Sequence, residues 1–425
     1  MAETVRRYYL FRGLSSALLF KTFLVFFYLE NGLNFARIGI LQSVFSATVI
    51  LLEVPTGIWA DRFGRGRIMG YGALAMTVSA LGYLFLNTFA WFMFLEFLLA
   101  FGLTMTSGAD SAFLFDALKR AGQTRQYTDL EGKAGAAKHI GIAFSALAGG
   151  IVAEYDLRAL FPTSAAVVFL AYLAIRRMDR SLAPGESAGS SHANPVQVCE
   201  AVEEMRTQRH IWWVIFYSAL LYLFIRSSDT LLQPVLRANG YSYWKIGGAA
   251  AAGALAAAVT SRYTASLIQR FSERVMLWVL PVALISSYAM FATGSGWMLI
   301  LVFFANVTVQ GLYSPFSKTL LNHTIVGSRL RATLLSLESA VKRIVVAAMM
   351  PLIGLVVDAW GLSRGILACV FFSLIVGGIL WWTAPKPTIH NRVQSQMPLS
   401  PEETPRCSEN PCTHAVSHTY SAPLK

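Results

Sequence analysis

Long apolar runs separated by short polar loops dominate the sequence. A transmembrane helix needs about 20 mostly apolar residues, and twelve such runs occur in the 425 residues. They cover residues 10–29, 37–60, 68–87, 89–116, 133–154, 159–176, 209–233, 243–266, 275–294, 297–321, 332–357 and 362–383. The runs are apolar on nearly all sides, whereas buried helices of a large soluble protein keep a polar outer face. The pattern predicts an all-α membrane protein with twelve transmembrane helices.

The composition agrees with a chain that meets lipid over most of its surface. Hydrophobic residues make up 55% of it and charged residues 14%, against about 25% charged in a typical soluble protein. These proportions exclude a disordered chain and an ordinary soluble enzyme. The four cysteines are too few and too scattered for a disulfide framework.

The basic residues predict the orientation. With the amino terminus placed inside, 23 of the 35 Lys and Arg residues fall on that side, 5 fall on the other side and 7 lie within spans. The positive-inside rule then places both termini in the cytoplasm of a multi-pass protein of the plasma (inner) membrane. Basic loops that contact anionic lipid explain the net charge of +12 without a nucleic-acid partner. Lys21 interrupts the first apolar run, which indicates a retained signal anchor rather than a cleaved signal peptide.

The second half of the sequence repeats the first at offsets of 202 to 208 residues. The matching positions are Ser16 to Leu19 with Ser218 to Leu221, Arg37 to Gly39 with Lys245 to Gly247, Ser111 and Phe113 with Ser314 and Phe316, and Lys138, Ile140, Ala143, Gly150 and Val152 with Lys342, Ile344, Ala347, Gly354 and Val356. A parallel repeat predicts two six-helix bundles related by a pseudo-twofold axis along the membrane normal. Apolar sequence that matches itself by chance is the alternative.

Four regions follow from this repeat. Residues 1–178 and 209–383 form the two bundles, and residues 179–208 form a cytoplasmic linker. Asn194-Pro195 in the linker resembles the start of a short helix on the membrane surface. Residues 384–425, rich in Pro, Ser and Thr, are expected to form a disordered cytoplasmic tail. The Cys and His residues of this tail fit no common zinc site, so no metal or cofactor is expected.

The segment 53–67, at the predicted cytoplasmic end of the second span, combines glycines with charges. Gly57 allows close approach of a neighbouring helix, and Gly64 permits the tight turn into the third span. Asp61 is an acid within a basic cluster, so we expect it to pair with an arginine or to face a helix N-terminus.

This segment resembles the loop signature of the major facilitator superfamily, which reads Gly, three residues, Asp-Arg, one residue, Gly-Arg, one residue, basic. The matching residues are Gly57, Asp61, Arg62, Gly64, Arg65 and Arg67. The resemblance extends over about residues 8–383, and the segments 107–113 and 331–336 are similar to a drug- and metabolite-exporter branch. It implies the two-bundle fold and a gating role for the loop; anchoring of the orientation is the alternative role.

Three departures from the family pattern bear on function. In the second half, Ala265 and Gln269 replace Gly57 and Asp61. Drug–proton antiporters of the family carry an arginine in the fourth span, where this chain has only Leu98 and Leu103 at the plausible positions. Their fifth span carries a Gly-Pro pair, and this chain has Gly149-Gly150 without the proline. The last two departures count against proton antiport.

Charges inside spans mark the candidate pathway, because each opposes insertion by roughly 2.5–3.5 kcal/mol at a helix centre. The predicted substrate and proton pathway consists of Lys21, Glu53, Asp110, Arg226, Asp229, Glu338 and Lys342. Further charges at Lys138, Lys318 and Arg343 also fall within spans.

The pathway residues have different expected roles. Lys21 lies near the middle of the first span without a local partner and is the leading candidate for solute binding. Arg226 and Asp229, at i,i+3, and Glu338 and Lys342, at i,i+4, can pair on one helix face, either as structural ion pairs or as part of the pathway. Glu53 and Asp110 are the candidate proton-binding acids, since desolvation favours the neutral form of a carboxylic acid.

Several functional classes remain to be weighed. The chain has no phosphate-binding Gly-x-x-x-x-Gly-Lys loop for ATP-driven transport. The leading hypothesis is a monomeric secondary transporter that moves a small solute by alternating access, as a proton-coupled exporter of a drug or metabolite. One alternative is uptake or export of an anionic metabolite without proton antiport. A non-transporting membrane sensor and an intramembrane enzyme are the alternatives from other classes.

Overall fold

The computed structural model describes residues 2–179, 209–294, 296–324 and 331–383, and these are almost entirely helical. The predicted surface helix of the linker and the C-terminal tail lie outside the described residues. The first half contains α1 Ala2–Ser16, α2 Leu24–Glu30, α3 Phe35–Phe63, α4 Arg65–Phe85, α5 Phe89–Ser107, α6 Asp110–Arg120, α7 Tyr127–Tyr155 and α8 Leu160–Asp179. The second half contains α9 Arg209–Ala238, α10 Tyr243–Thr293, α11 Met298–Thr324, α12 Arg331–Trp360 and α13 Leu362–Trp382.

Ten helical segments of the described chain are long and apolar enough to cross a membrane. Two predicted spans are not among them, so the count of twelve stays a prediction. The run at 10–29 is interrupted, because α1 ends at Ser16 and α2 is only seven residues long. The run at 243–266 forms the first part of α10, is largely alanine and carries Lys245 and Arg262. The second of these segments is helical throughout, whereas the first is divided by the non-helical residues 17–23.

Two equivalent turns support the internal repeat. Gly64 joins α3 to α4 with a φ of 98°, a backbone conformation that glycine adopts without steric cost. In the second half, α10 is broken at Ser272, which has a φ of 64° and lies 208 residues after Gly64. A residue with a side chain costs about 1–3 kcal/mol in this sparsely populated conformation. The second half therefore keeps the turn although it has lost the glycine.

The halves meet along two helix pairs, α3 with α12 and α7 with α10. Glycines bring the backbones together at both. A Cβ on Gly39 would lie 2.7 Å from the Cα of Pro351, and one on Gly354 would lie 2.5 Å from the backbone nitrogen of Ala36. A Cβ on Gly150 would lie 2.7 Å from the carbonyl oxygen of Tyr243. Small residues at helix interfaces allow this close packing.

A carboxylate from each half reaches the first turn of a helix in the other half. Asp358 of α12 accepts hydrogen bonds from the backbone N–H groups of Phe35 and Ala36, both at 2.9 Å. Glu154 of α7 accepts one from the backbone N–H of Tyr243 at 2.7 Å. These N–H groups have no partner within their own helix, and an acid at a helix N-terminus is stabilising. We call the region of residues 35–39, 146–154, 243–247 and 350–358 the closed end.

Candidate transport site

The interruption of the first span places Lys21 between the halves. Residues 17–23 separate α1 from α2, and Lys21 lies deep in the protein yet keeps accessible surface. Among the described residues, no carboxylate lies within ion-pairing distance of its ammonium group. Its charged neighbours at longer range are Arg226, Asp229, Lys138 and Glu96. The site therefore contains a cation that the protein itself does not neutralise.

Arg226 and Asp229 form the ion pair that their spacing predicts. The Nη1 atom of Arg226 donates to Oδ2 of Asp229 at 3.1 Å, and its Nη2 atom donates to Oε1 of Gln42 at 3.0 Å. Since Gln42 belongs to α3 and Arg226 to α9, the guanidinium group bridges the two halves. The side chain of Asp229 remains 48% exposed, so this pair is accessible.

Glu338 and Lys342 also form their predicted pair, at 2.7 Å, within a fully bonded network. Glu338 is 3% exposed and accepts hydrogen bonds from Ser218 at 2.5 Å and Ser317 at 3.0 Å. The ammonium group of Lys342 lies 5.8 Å from the ring centroids of Tyr222 and of Tyr313, positions that favour cation–π attraction. The charge of Lys342 is thus compensated locally.

Lys138 is the equivalent of Lys342 in the first half, and its charge is not compensated. The position equivalent to Glu338 is Ala134, which is fully buried. Lys138 is exposed, and the charged groups that act on it, Arg12 and Lys318, are both cations. We refer to Lys21, Lys138 and Lys318 as the free lysines, because no carboxylate of the described chain pairs with any of them.

Asp110 is held in an ion pair with Arg12 at the first turn of α6. Glu131 of α7 lies 3.8 Å from the same guanidinium group, and Ser111 donates to Glu131 at 2.9 Å. The residue Asp110 is buried, at 7% exposure. The arrangement ties α1, α6 and α7 together within the first half, so a proton could bind Asp110 only in competition with Arg12.

Replacing Asp110 by Asn should destabilise the protein. The substitution leaves Arg12, whose side chain is 14% exposed, without its nearest carboxylate, and breaking a buried pair costs about 3 kcal/mol. Thermal unfolding of the purified protein in detergent measures this loss. Lys133→Gln is the control, because the pair of Lys133 with Asp129 lies in water on the surface; its unfolding temperature should hardly change. An unaltered unfolding temperature for Asp110→Asn would contradict the structural role of the pair.

The residues of the predicted gating loop lie around the turn between α3 and α4. Arg65 pairs with Asp61 at 3.0 Å, as expected for this acid, and with Asp116 of α6 at 2.8 Å. The pair with Asp116 connects the loop to α6, which begins within the fourth predicted span. The remaining residues of the signature, Gly57, Arg62, Gly64 and Arg67, lie in α3, in the turn or in α4. Glu53, ten residues before the end of α3, is exposed.

Glu96 was missing from the predicted pathway although it falls within the run at 89–116. It lies on α5, is 2% exposed, and accepts a hydrogen bond from the hydroxyl of Tyr28 at 2.8 Å. An acid in the interior of an apolar span is the signal that would have identified it.

The protein is thus a multi-pass helical bundle whose halves enclose a charged site. Its sequence matches the Major Facilitator Superfamily over residues 9–339. The chain belongs to this family, and it is a membrane transporter rather than an enzyme. No protein with curated annotation matches the sequence.

Solved structures show the same fold. The nucleoside transporter NupG superposes with a TM-score of 0.75 at 14% identity, over 91% of this chain and 99% of that one. A bacterial homologue of the human lysosomal transporter Spinster, inward-facing and unoccupied, gives 0.69 at 16% identity, over 90% and 96% of the two chains. A POT family transporter in complex with 5-aminolevulinic acid gives 0.68 at 11% identity, also over 90% and 96%. At these identities the likeness defines the fold and not the solute.

Proposed function

We propose that the protein is a secondary transporter of a small anionic or zwitterionic solute, which binds between the halves and is carried by alternating access. The observation that supports this proposal is the set of free lysines. Arg226 and Lys342, by contrast, each have a carboxylate partner. The three free ammonium groups can donate hydrogen bonds to a carboxylate or phosphate of the solute. Such charge-assisted hydrogen bonds are strong.

The direction of opening follows from the charge of the loops. The closed end carries the loops with Arg37, Arg158, Arg237, Lys245 and Arg364, which are the cation-poor loops of the sequence. By the positive-inside rule the closed end faces away from the cytoplasm of the plasma membrane. We infer that the structure represents the state in which solute exchanges with the cytoplasm, with both termini on that side. The repeat of two bundles in one chain is consistent with function as a monomer.

Proton-coupled export of a drug or metabolite is the second candidate, and the exporter-like segments 107–113 and 331–336 favour it. In that case Asp110 would release its proton and bind Arg12 in alternation. The ion pair of Asp110 with Arg12 is compatible with one half of such a cycle. The charge of the solute separates the two candidates.

Charge selectivity in proteoliposomes tests the proposal. The intact chain is reconstituted, and uptake of labelled succinate, glutamate and phosphate is compared with that of choline and uridine. We expect at least one of the anions to be carried about tenfold faster than choline, the selectivity that one charge-assisted hydrogen bond provides. Transport of cations in preference to all three anions would overturn the proposal and leave the exporter candidate. Empty vesicles are the control for leakage.

A further inference from the structure

A groove on the lateral surface of the second half lies between α9, α12 and α13. Together with its mouth it has a volume of about 540 Å³, within the range of about 300–1,000 Å³ that is typical of small-molecule sites. We call it the side groove, and its lining includes Leu223, Phe224, Leu352, Ile353, Ala368 and Phe372. Leu223 and Phe224 are buried and form the floor, whereas Leu352 and Phe372 are exposed at the mouth.

The side groove opens toward lipid and not toward the interface between the halves. Met350 and Gly354 lie on the side of α12 that packs against α3. Leu352 is two residues from each of them and therefore lies on the opposite side of the helix. On α9, Phe224 is likewise two residues from Arg226, which bridges the halves. A ligand thus reaches the side groove from the hydrocarbon of the bilayer, behind the helix that carries part of the solute site.

The internal repeat explains why the groove exists in one half only. At the offset of 204 residues, Ile353 is the equivalent of Gly149 in the first half. A Cβ on Gly149 would lie 2.7 Å from the carbonyl oxygen of Leu19, so α7 packs directly against the break between α1 and α2. The branched side chain of Ile353 excludes such close approach of α12 to α9. The second half therefore has a space where the first half has helix packing.

The chemistry of the lining selects an apolar occupant. Ser227 donates to the carbonyl oxygen of Phe224 at 3.1 Å and lies 2.7 Å from the hydroxyl of Tyr288. Ser373 donates to the carbonyl oxygen of Cys369 at 2.6 Å. These hydroxyl groups are satisfied within the protein, and the other lining residues apart from Cys369 are apolar. A hydrocarbon chain in the groove would leave no buried hydroxyl group of the protein without a partner.

The depth of the side groove matches one leaflet of a bilayer. Helix α13 begins at Leu362, next to the closed end. At a rise of 1.5 Å per residue, Ala368 lies about 9 Å and Ser373 about 17 Å along the helix from that point. The groove therefore ends near the middle of a hydrocarbon core about 30 Å thick. An acyl chain that enters from the leaflet at the closed end spans the same depth.

A basic residue lies between the groove and the membrane surface at the closed end. Arg364 precedes Ala368 by four residues and Phe372 by eight, so the three side chains share one face of α13. Arg364 is exposed, and no carboxylate of the described residues pairs with it. Trp360, exposed at the end of α12, is a residue type enriched at the level of the lipid headgroups. A guanidinium group at this level can bind a lipid phosphate through charge-assisted hydrogen bonds.

We propose that the side groove binds one phospholipid of the leaflet at the closed end, with an acyl chain on Leu223 and Phe224 and its phosphate at Arg364. The chain occupies the space that helix packing fills in the first half. The lipid thereby supports α9 on the side opposite Arg226. This site is separate from the solute site, and its existence does not depend on which solute is carried.

Photo-crosslinking in proteoliposomes locates the chain. The intact protein is reconstituted with phosphatidylglycerol that carries a diazirine near the end of one acyl chain, and the adducts are assigned to residues by mass spectrometry. We expect adducts on Leu223 or Phe224, which are buried and contact lipid only if a chain enters the groove. Ile375, 63% exposed on α13, should react with the surrounding bilayer. Adducts on Ile375 without any on the two floor residues would overturn the proposal.

Filling the groove tests whether the chain enters through it. Ala368→Phe should reduce the floor adducts about tenfold, because the added ring overpacks the space that the chain occupies. Ile375→Phe is the matched control on the same helix and should leave the floor adducts unchanged. Persistent adducts on Ile375 in Ala368→Phe show that this variant is folded in the membrane. Undiminished floor adducts in folded Ala368→Phe would contradict the side groove as the binding site.

The headgroup is tested by charge. Arg364→Gln should reduce the floor adducts of phosphatidylglycerol about fivefold, the effect of one basic residue at an anionic lipid surface. Arg158→Gln, which removes an exposed cation from the same side of the first half, should have no effect. Diacylglycerol with the same diazirine chain lacks the phosphate and should label the floor weakly in every variant. Equal labelling of the floor by diacylglycerol and phosphatidylglycerol would overturn the assignment of a phospholipid.

Discussion

Lys21→Ala should lower the transport rate at limiting solute by about tenfold to a hundredfold, the range expected for loss of one hydrogen bond from a charged group. Lys21 is the free lysine nearest to the Arg226–Asp229 pair that bridges the halves. Within the part of the chain that the structure describes, its removal leaves no carboxylate without a partner, so the substitution should not lower the unfolding temperature. This combination of lost transport and kept stability distinguishes Lys21 from Asp110.

Two variants make the measurement of Lys21 specific. Lys21→Arg keeps the positive charge and should retain a large part of the activity. Lys133→Ala removes an exposed cation that pairs with Asp129 on the surface and should transport normally. Initial rates of uptake of the carried anion in proteoliposomes, at matched protein content, decide the matter. Equal rates for Lys21→Ala and the wild type would show that the solute binds elsewhere.

Gly247→Ala should prevent the closed end from closing, while Gly248→Ala should not. A Cβ on Gly247 would collide with the carbonyl oxygen of Ala146 and would lie 3.0 Å from the Cα of Gly150. At Gly248, the next residue of the same helix, a Cβ would meet nothing within 4 Å. Overpacking of this kind costs about 1–3 kcal/mol, which shifts a conformational equilibrium by about fivefold to more than a hundredfold.

Accessibility at the other helix pair reports this opening. Ala36, at the start of α3, is 8% exposed and packs near Gly354. Ala36→Cys, in a background without the native cysteines, should react faster with a membrane-impermeant maleimide when Gly247→Ala is present. Transport should fall in parallel, because a protein that cannot close at one end cannot complete the cycle. Equal labelling in the Gly247→Ala and Gly248→Ala backgrounds would contradict the role of Gly247.

The fold followed from patterns that are local in the sequence. Apolar runs predicted the helices, and the repeat of Arg37 to Gly39 at Lys245 to Gly247 correctly related two segments that both lie at the closed end. The pairs Arg226–Asp229, at i,i+3, and Glu338–Lys342, at i,i+4, form as the sequence predicts. The spacing was sufficient because both partners of each pair lie on one helix. The first span was less regular than predicted, since hydropathy alone does not register a break such as residues 17–23.

The partners that lie on different helices could not be predicted. The bond of Asp358 to the start of α3 joins residues more than 320 positions apart, and no sequence spacing encodes it. The same holds for Arg12 and Asp110, which form an ion pair although Asp110 was expected to bind a proton. The hydrogen bond from Tyr28 to Glu96 likewise joins two different helices. Such contacts follow from packing and not from periodicity.

The acids of the closed end bind the main chain rather than side chains, and this changes which substitutions the protein can tolerate. Every residue except proline supplies the N–H group that Asp358 or Glu154 needs. Evolution can therefore vary Phe35, Ala36 and Tyr243 without abolishing these bonds. A proline at any of the three positions would remove one of these bonds between the halves without removing a single charge.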